Sequence, residues 1–213
     1  MMETTLKQQT LFMGLLSFIG VPLLLWAVGE YPVRSILKES LSVLTLFAFF
    51  MMTAQFFLSH ANSMMRLYHF KEVLKWHKII GYTFILVFIF HPLFIVVPRF
   101  FESGLLPMDA FLKLITTFET TGQIMGLVAY ILMFVLGATS IFRNKMGMSY
   151  KKWKLLHGIF SLLFIGFATY HAIDMGRHAE KAMAIWMILL AVTGSILLLK
   201  TYLSPKETHH EAR

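Results

Sequence analysis

The stretch that decides the fold is Trp76-His77-Lys78-Ile79-Ile80-Gly81 running on to Phe90-His91-Pro92, and it is echoed by Trp153-Lys154-Leu155-Leu156-His157-Gly158 running on to Tyr170-His171. In each copy the second histidine follows the first by fourteen residues. An α-helix advances about 100° and 1.5 Å per residue, so fourteen steps fall roughly 40° short of four turns and put both imidazoles on one face, about 21 Å apart. Two such helices side by side would offer two levels of facing imidazole pairs.

Composition places these helices in a bilayer. The chain is 57% apolar, 15% aromatic and only 14% charged, with a mean hydropathy of +0.69, far from the balance of a soluble domain. It has no cysteine, which excludes disulfides, Cys-ligated zinc, iron–sulfur clusters and thioether-linked haem. Any metal therefore falls to histidine, carboxylate or methionine. The net charge of +8 reads as the Lys/Arg excess that membrane proteins keep on one side. Nucleic acid is not an expected partner, because no basic soluble segment is interleaved with base-stacking aromatics.

Working outward from the two motifs, uncharged runs mark six spans, at 11–29, 40–61, 79–98 (the helix beginning near Val73), 120–142, 155–173 and 182–199. Pro22 is expected to kink the first. Pro92, directly after His91, removes a helix hydrogen bond and is expected to bend the outer end of the third. Residues 108–118 read as an amphipathic helix lying flat at the interface, with Phe111, Leu114, Ile115 and Phe118 at helical spacing. Thirteen Lys and Arg lie on the side of the two termini and six on the other, which predicts both termini in the cytoplasm and a multi-pass protein of the plasma (inner) membrane. The third and fifth spans then run in the same direction. His77 and His157 share a level near the cytoplasmic face, and His91 and His171 one near the outer face.

A histidine inside a membrane helix is a functional candidate, although a lone one can simply hydrogen-bond to a neighbouring helix. Two equally spaced pairs on parallel helices point to bis-histidine ligation of two b-type haems, since a haem clamped between helices needs one imidazole from each at equal height. Non-haem metal binding or pure packing are the competing readings. The predicted fold class is an all-α integral membrane bundle of six transmembrane helices with the haems between the third and fifth. Residues 1–203 form the haem-binding domain and 204–213 a polar cytoplasmic tail.

The residues also carry a resemblance. Trp76-His77-Lys78-x-x-Gly81 leading to Phe90-His91-Pro92-Leu93, and Tyr150-Lys-Lys-Trp153-Lys-Leu-Leu-His157 leading to Tyr170-His171, resemble the ferric reductase-like transmembrane domain of ferric reductases and NADPH oxidases. The resemblance implies that His77 and His157 ligate an inner haem and His91 and His171 an outer one. It also implies that electrons pass from a cytoplasmic donor to an extracytoplasmic acceptor such as ferric iron, oxygen or a partner protein. Members of the long type continue into flavin and nicotinamide domains, whereas here only Thr201 to Arg213 follow the sixth span and no dinucleotide fingerprint occurs. No flavin or NAD site is therefore expected, and the electron donor is a separate flavoprotein reductase or a membrane quinol. The chain would be an oxidoreductase component like the short, stand-alone members, which include the haem subunit of a periplasmic methionine sulfoxide reductase. A quinol-linked cytochrome b would require a lipid-accessible pocket beside a haem. A haem-free transporter or scaffold remains the reading from another class.

Secondary candidates follow from position. Phe164 lies seven residues from both His157 and His171, and Phe84 midway between His77 and His91, so either ring would fill the gap between haem levels or simply line the core. Trp76 and Trp153 of the two motifs are expected beside the cofactor. Haem propionates call for cations near the membrane surfaces: Arg66, Lys75, Lys78 and Lys154 inside, and Arg34, Lys38, Arg99 and Arg177 outside, each of which would serve equally as an interfacial anchor. His60, His69, His178, His209 and His210 read as surface residues.

Overall fold

The apolar runs form helices in the computed structural model, which describes residues 2–59 and 68–203; His60, Arg66 and the tail with His209 and His210 lie outside the described residues. The first span is α1 (Met2–Leu15), a widened turn at Leu16–Gly20, and α2 (Val21–Val28). Pro22 has no N–H, and its ring crowds the carbonyl four residues back, so the helix opens and the Val21 N–H bonds to the Leu16 carbonyl. The kink expected at Pro22 takes this form.

There follow α3 (Ile36–Ser59), α4 (Phe70–Phe90), the short α5 (Pro107–Thr116), α6 (Thr121–Ile141), α7 (Tyr150–Met175) and α8 (Lys181–Leu203). Among the described residues, six helices are long and apolar enough to cross a membrane, with bounds Thr4–Val28, Ile36–Leu58, Phe70–Ile95, Thr121–Ile141, Tyr150–Met175 and Lys181–Leu203. No strand occurs among the described residues. Local chemistry sets the ends. The Thr120 hydroxyl accepts the Gln123 N–H at 3.2 Å while Gln123 Oε1 accepts the Thr120 N–H at 3.1 Å, a reciprocal cap that starts α6. Ser149 caps α7 in the same way through the Lys152 N–H at 3.4 Å. At the far end of α4 the proline acts as expected. The α-helix stops at Phe90 and the chain tightens into 3₁₀ turns at His91–Ile95 and Val97–Phe100. α5 packs against these turns, burying Ala110 and leaving Phe111, Leu112 and Ile115 exposed.

α3 is the spine of the bundle. Its Phe49, Phe50 and Phe56 form one cluster with Ile165 of α7 and Met183, Met187 and Leu190 of α8. Gly194 permits this approach, since a Cβ there would stand 2.9 Å from the Phe56 Cβ. A second cluster gathers Ala129, Met133 and Leu136 of α6 around Phe164 of α7. Leu24, Ile131, Ile185 and Val192 are more than half exposed, which is costly in water and matched in a hydrocarbon medium. The packing that matters for function is an incomplete one. α6 and α7 lie together along their length, and α3 packs on both α4 and α8, but α4 and α7 make only marginal backbone contact. The two histidine-bearing helices leave a gap between their backbones, which Ile85, Phe88 and Ile89 of α4 partly fill by packing against the Phe164 cluster.

Candidate metal centre

At the outer level the gap is bridged by side chains. His91, where α4 gives way to the 3₁₀ turn, faces His171 of α7 with ring centroids 6.3 Å apart and planes at 77°. That lies towards the upper end of the range for edge-to-face contact. Two imidazoles on opposite sides of one metal ion would stand about 6.2 Å apart, given a metal–nitrogen bond of about 2.0 Å and about 1.1 Å from nitrogen to ring centre on each side. Phe88 and Phe94 present edges to His91 at 6.4 and 6.0 Å.

At each of the four histidines a polar group on a neighbouring helix addresses Nδ1. His91 Nδ1 lies 3.3 Å from Thr45 Oγ1 of α3. His171 Nδ1 lies 2.8 Å from the Gly122 carbonyl of α6. His157 Nδ1 lies 3.4 Å from Ser140 Oγ of α6. His77 Nδ1 meets the Gln55 side-chain amide of α3, which also lies 3.1 Å from the His77 carbonyl and 3.3 Å from the Gly81 nitrogen. Among the described residues no hydrogen bond engages Nε2 of any of the four. This is the arrangement of metal-ligating histidines, whose second nitrogen is fixed by an outer partner.

The inner level is built differently. His77 and His157 make no ring contact with each other among the described residues. Trp153 stacks on His157, centroids 5.0 Å apart and planes at 26°, and is anchored by its indole N–H to the Thr139 carbonyl at 3.0 Å. Arg143 lies over the Trp153 ring. Gly81 lies on the face of His77, about 40° around the helix, and no atom stands within 4 Å of the position its Cβ would take. The residues thus fit a flat group entering between α4 and α7: imidazole nitrogens without protein partners, a matching outer separation, and open space along α4.

The secondary candidates separate. Phe164 is buried in the α6–α7 cluster, which also packs against Ile85, Phe88 and Ile89 of α4. Phe84 is buried but meets Phe47 of α3 edge-on at 5.5 Å. Trp76 is 56% exposed, and Lys75 and Lys78 are exposed too. Lys154 lies over the Tyr202 ring. Among the outer cations, Lys38 pairs with Glu102, Arg34 bonds to Ser42 and approaches Glu39 at 3.7 Å, and Arg177 approaches Glu39 at 3.8 Å and donates to the Pro32 carbonyl. The side chain of Arg99, in the turn after His91, forms no hydrogen bond or close ion pair among the described residues, and its Nε, like those of Arg34 and Arg177, is buried without a hydrogen-bond partner.

One reading is corrected. His178 is not at the surface: it is 3% exposed, with Nε2 3.0 Å from Glu39 Oε1 and the Tyr31 ring edge-on at 4.4 Å. Sequence reasoning missed the reason because it began the second span at Ser40. The helix starts at Ile36, so Glu39 sits inside it and draws Trp26, Arg34, Arg177 and His178 into an outer cap. Burial holds the His178 pKa below the ordinary imidazole value, although the Glu39 charge opposes the shift. Thr45, Gln55, Gly122 and Ser140 were also missed. Scattered polar or small residues within apolar spans were the available signal.

A protein of Archaeoglobus fulgidus described only as uncharacterized is 32% identical over 160 residues, which cover 75% of this chain and 87% of that protein. No solved structure matches the chain. The family model for the ferric reductase like transmembrane component matches residues 44–168, from early in α3 through most of α7. With three of the four histidines inside that match and His171 three residues beyond it, the chain belongs to the ferric reductase-like transmembrane family.

Proposed function

We propose that the protein is a transmembrane di-haem b cytochrome that moves electrons from a cytoplasmic donor to an extracytoplasmic acceptor, its termini in the cytoplasm of a plasma or inner membrane. The observation that carries the reading is the His91–His171 pair, 6.3 Å apart across the α4–α7 gap with both Nδ1 atoms engaged elsewhere. His91 and His171 hold the outer haem, and His77 and His157 the inner one. When bound, the haems supply one-electron carriage at two depths in the bilayer. The chain's own residues do the rest. With one imidazole from each of α4 and α7 at either level, these residues would leave the metal closed to substrate. The cluster around Phe164 keeps water out between the levels, and Trp153 fixes the plane of the inner His157. Arg99 is the outer cation assigned to a propionate, because Arg34, Lys38 and Arg177 are engaged by other protein groups while the Arg99 side chain is in no hydrogen bond or close ion pair among the described residues.

The family context implies a redox partner such as a flavoprotein, with ferric iron, oxygen or a partner protein as acceptor. A quinol donor is favoured by one feature. A recess between α2 and α3 is lined by Leu23, Trp26, Val43 and Phe47 together with the polar Arg34, Glu39 and Ser40, an apolar pocket with a polar end that suits a quinol. The test is vectorial. Purified protein is sealed into vesicles with ferricyanide inside, and a flavin reductase with NADPH, or a quinol analogue, is supplied outside. Reduction of the trapped oxidant that requires the protein supports the reading. A protein that carries haem yet passes no electrons to the lumen from either donor would overturn it.

A further inference from the structure

Each ligand helix is paired with a helix that reads the far side of its imidazoles. α3 addresses both histidines of α4, with Thr45 at His91 and Gln55 at His77. α6 addresses both histidines of α7, with the Gly122 carbonyl at His171 and Ser140 at His157. The chemistry of the partners fixes proton positions. A carbonyl only accepts, so His171 Nδ1 must be the donor and the lone pair of the neutral ring lies on Nε2. The Thr45 hydroxyl proton is already given to the Leu41 carbonyl at 2.9 Å. Its oxygen is therefore left to accept from His91 Nδ1, with the same result.

Gln55 is seated differently. With its NH2 towards the ring it donates to Nδ1 and the carbonyl of His77 while its oxygen takes the Gly81 N–H; the reverse seating would set its oxygen against the His77 carbonyl and its NH2 against the Gly81 N–H. Gln55 therefore supplies no acceptor for a proton on His77 Nδ1.

We infer that Thr45, Ser140 and the Gly122 carbonyl are positioning groups that hold His91, His157 and His171 in the Nδ1–H tautomer with Nε2 left free to ligate, and thereby set the electron-donating strength of each of these ligands. The inference rests on the proposed haem ligation and deepens it. An acceptor on Nδ1–H makes the imidazole more basic and favours ferric over ferrous iron. Removing the acceptor weakens that preference and raises the midpoint potential of the haem it serves.

The experiment titrates the haems of full-length protein in detergent, reading optical midpoint potentials and low-temperature EPR g-values of the ferric state. Thr45→Val is isosteric but has no acceptor. It is expected to shift one of the two potentials upward by a three- to tenfold change in the ferric/ferrous affinity ratio, about 28 to 59 mV for one electron. The other potential stays in place. Ser140→Ala is expected to move the other haem instead, and Thr45→Ser to restore the first. Because Thr45 and Ser140 lie at opposite ends of the bundle, the two variants must act on different haems. Both potentials unchanged in a fully loaded Thr45→Val and Ser140→Ala protein, or both variants moving the same haem, would overturn the inference. Wild-type protein without haem would instead overturn the ligation on which it rests.

Discussion

Replacing Gly126 by alanine should remove the outer haem and leave the inner one. Gly126 lies one turn after Gly122 on α6, and its missing side chain leaves the notch into which the His171 ring is pressed. A Cβ at Gly126 would stand 2.4, 2.7 and 2.9 Å from Nδ1, Cε1 and Cγ of that ring. Comfortable carbon contacts begin near 3.5 Å, so the ring must withdraw by about 1 Å. The 2.8 Å bond to the Gly122 carbonyl would then stretch beyond useful range, forfeiting about 1 kcal/mol. More decisively, Nε2 would move by a similar amount against a tolerance of about 0.2 Å for a metal–ligand distance. Haem content per chain, from the pyridine haemochrome against protein mass, is expected to fall from two to one. Gly166→Ala on α7 is the control, because nothing lies within 4 Å of its missing Cβ. The inner haem, still bound, reports that the bundle is folded. Two haems with unaltered EPR signals in Gly126→Ala would refute the reasoning.

Other outcomes follow from the same geometry. Gly81→Ala should fold at least as well as wild type, whereas Gly81→Phe should fill the open space beside His77 and lose only the inner haem; haem content of the two variants checks this. Trp153→Ala removes the ring stacked on His157 and its bond to Thr139, and should perturb the EPR signal of one haem, which Trp153→Phe largely restores. Phe164→Ala should cost about 3 kcal/mol by opening a cavity in the α6–α7 cluster, read as a lower Tm. His178 is held neutral by burial, with its pKa below the ordinary value. The unfolded chain therefore binds the proton first as pH falls through about 6.5, and the native state loses stability there. Its contribution is complete above that pH and declines on acidification. The Tm of wild type should drop between pH 7.5 and 5.5 more steeply than that of His178→Gln.

The helices were legible because the bilayer demands long uncharged runs, and a run of that length admits one structure. The equal spacing of His77/His91 and His157/His171 likewise placed each pair on one helical face, because the period of a helix is fixed. Other features depend on partners distant in sequence. Nothing around Thr45 or Gln55 announces that α3 lies behind both α4 histidines. Gly122 and Gly126 act through the absence of side chains, which looks the same as ordinary small-residue packing until a neighbour's ring is in view. Glu39 was obscured by a boundary: a charge at the mouth of a span reads as its end, yet here four polar partners draw it in, and His178 with it. Pro92 was readable as a helix breaker, but the 3₁₀ turn that follows it depends on packing against α5.

The most direct test of the account is the absorption spectrum and haem content of the purified, detergent-solubilised protein. Sharp reduced α and β bands of low-spin, bis-histidine b-type haem, at two haems per chain, and one haem fewer in His91→Ala or His171→Ala, are the predicted result. A colourless wild-type protein, or one that retains both haems when either of those histidines is replaced, would contradict it.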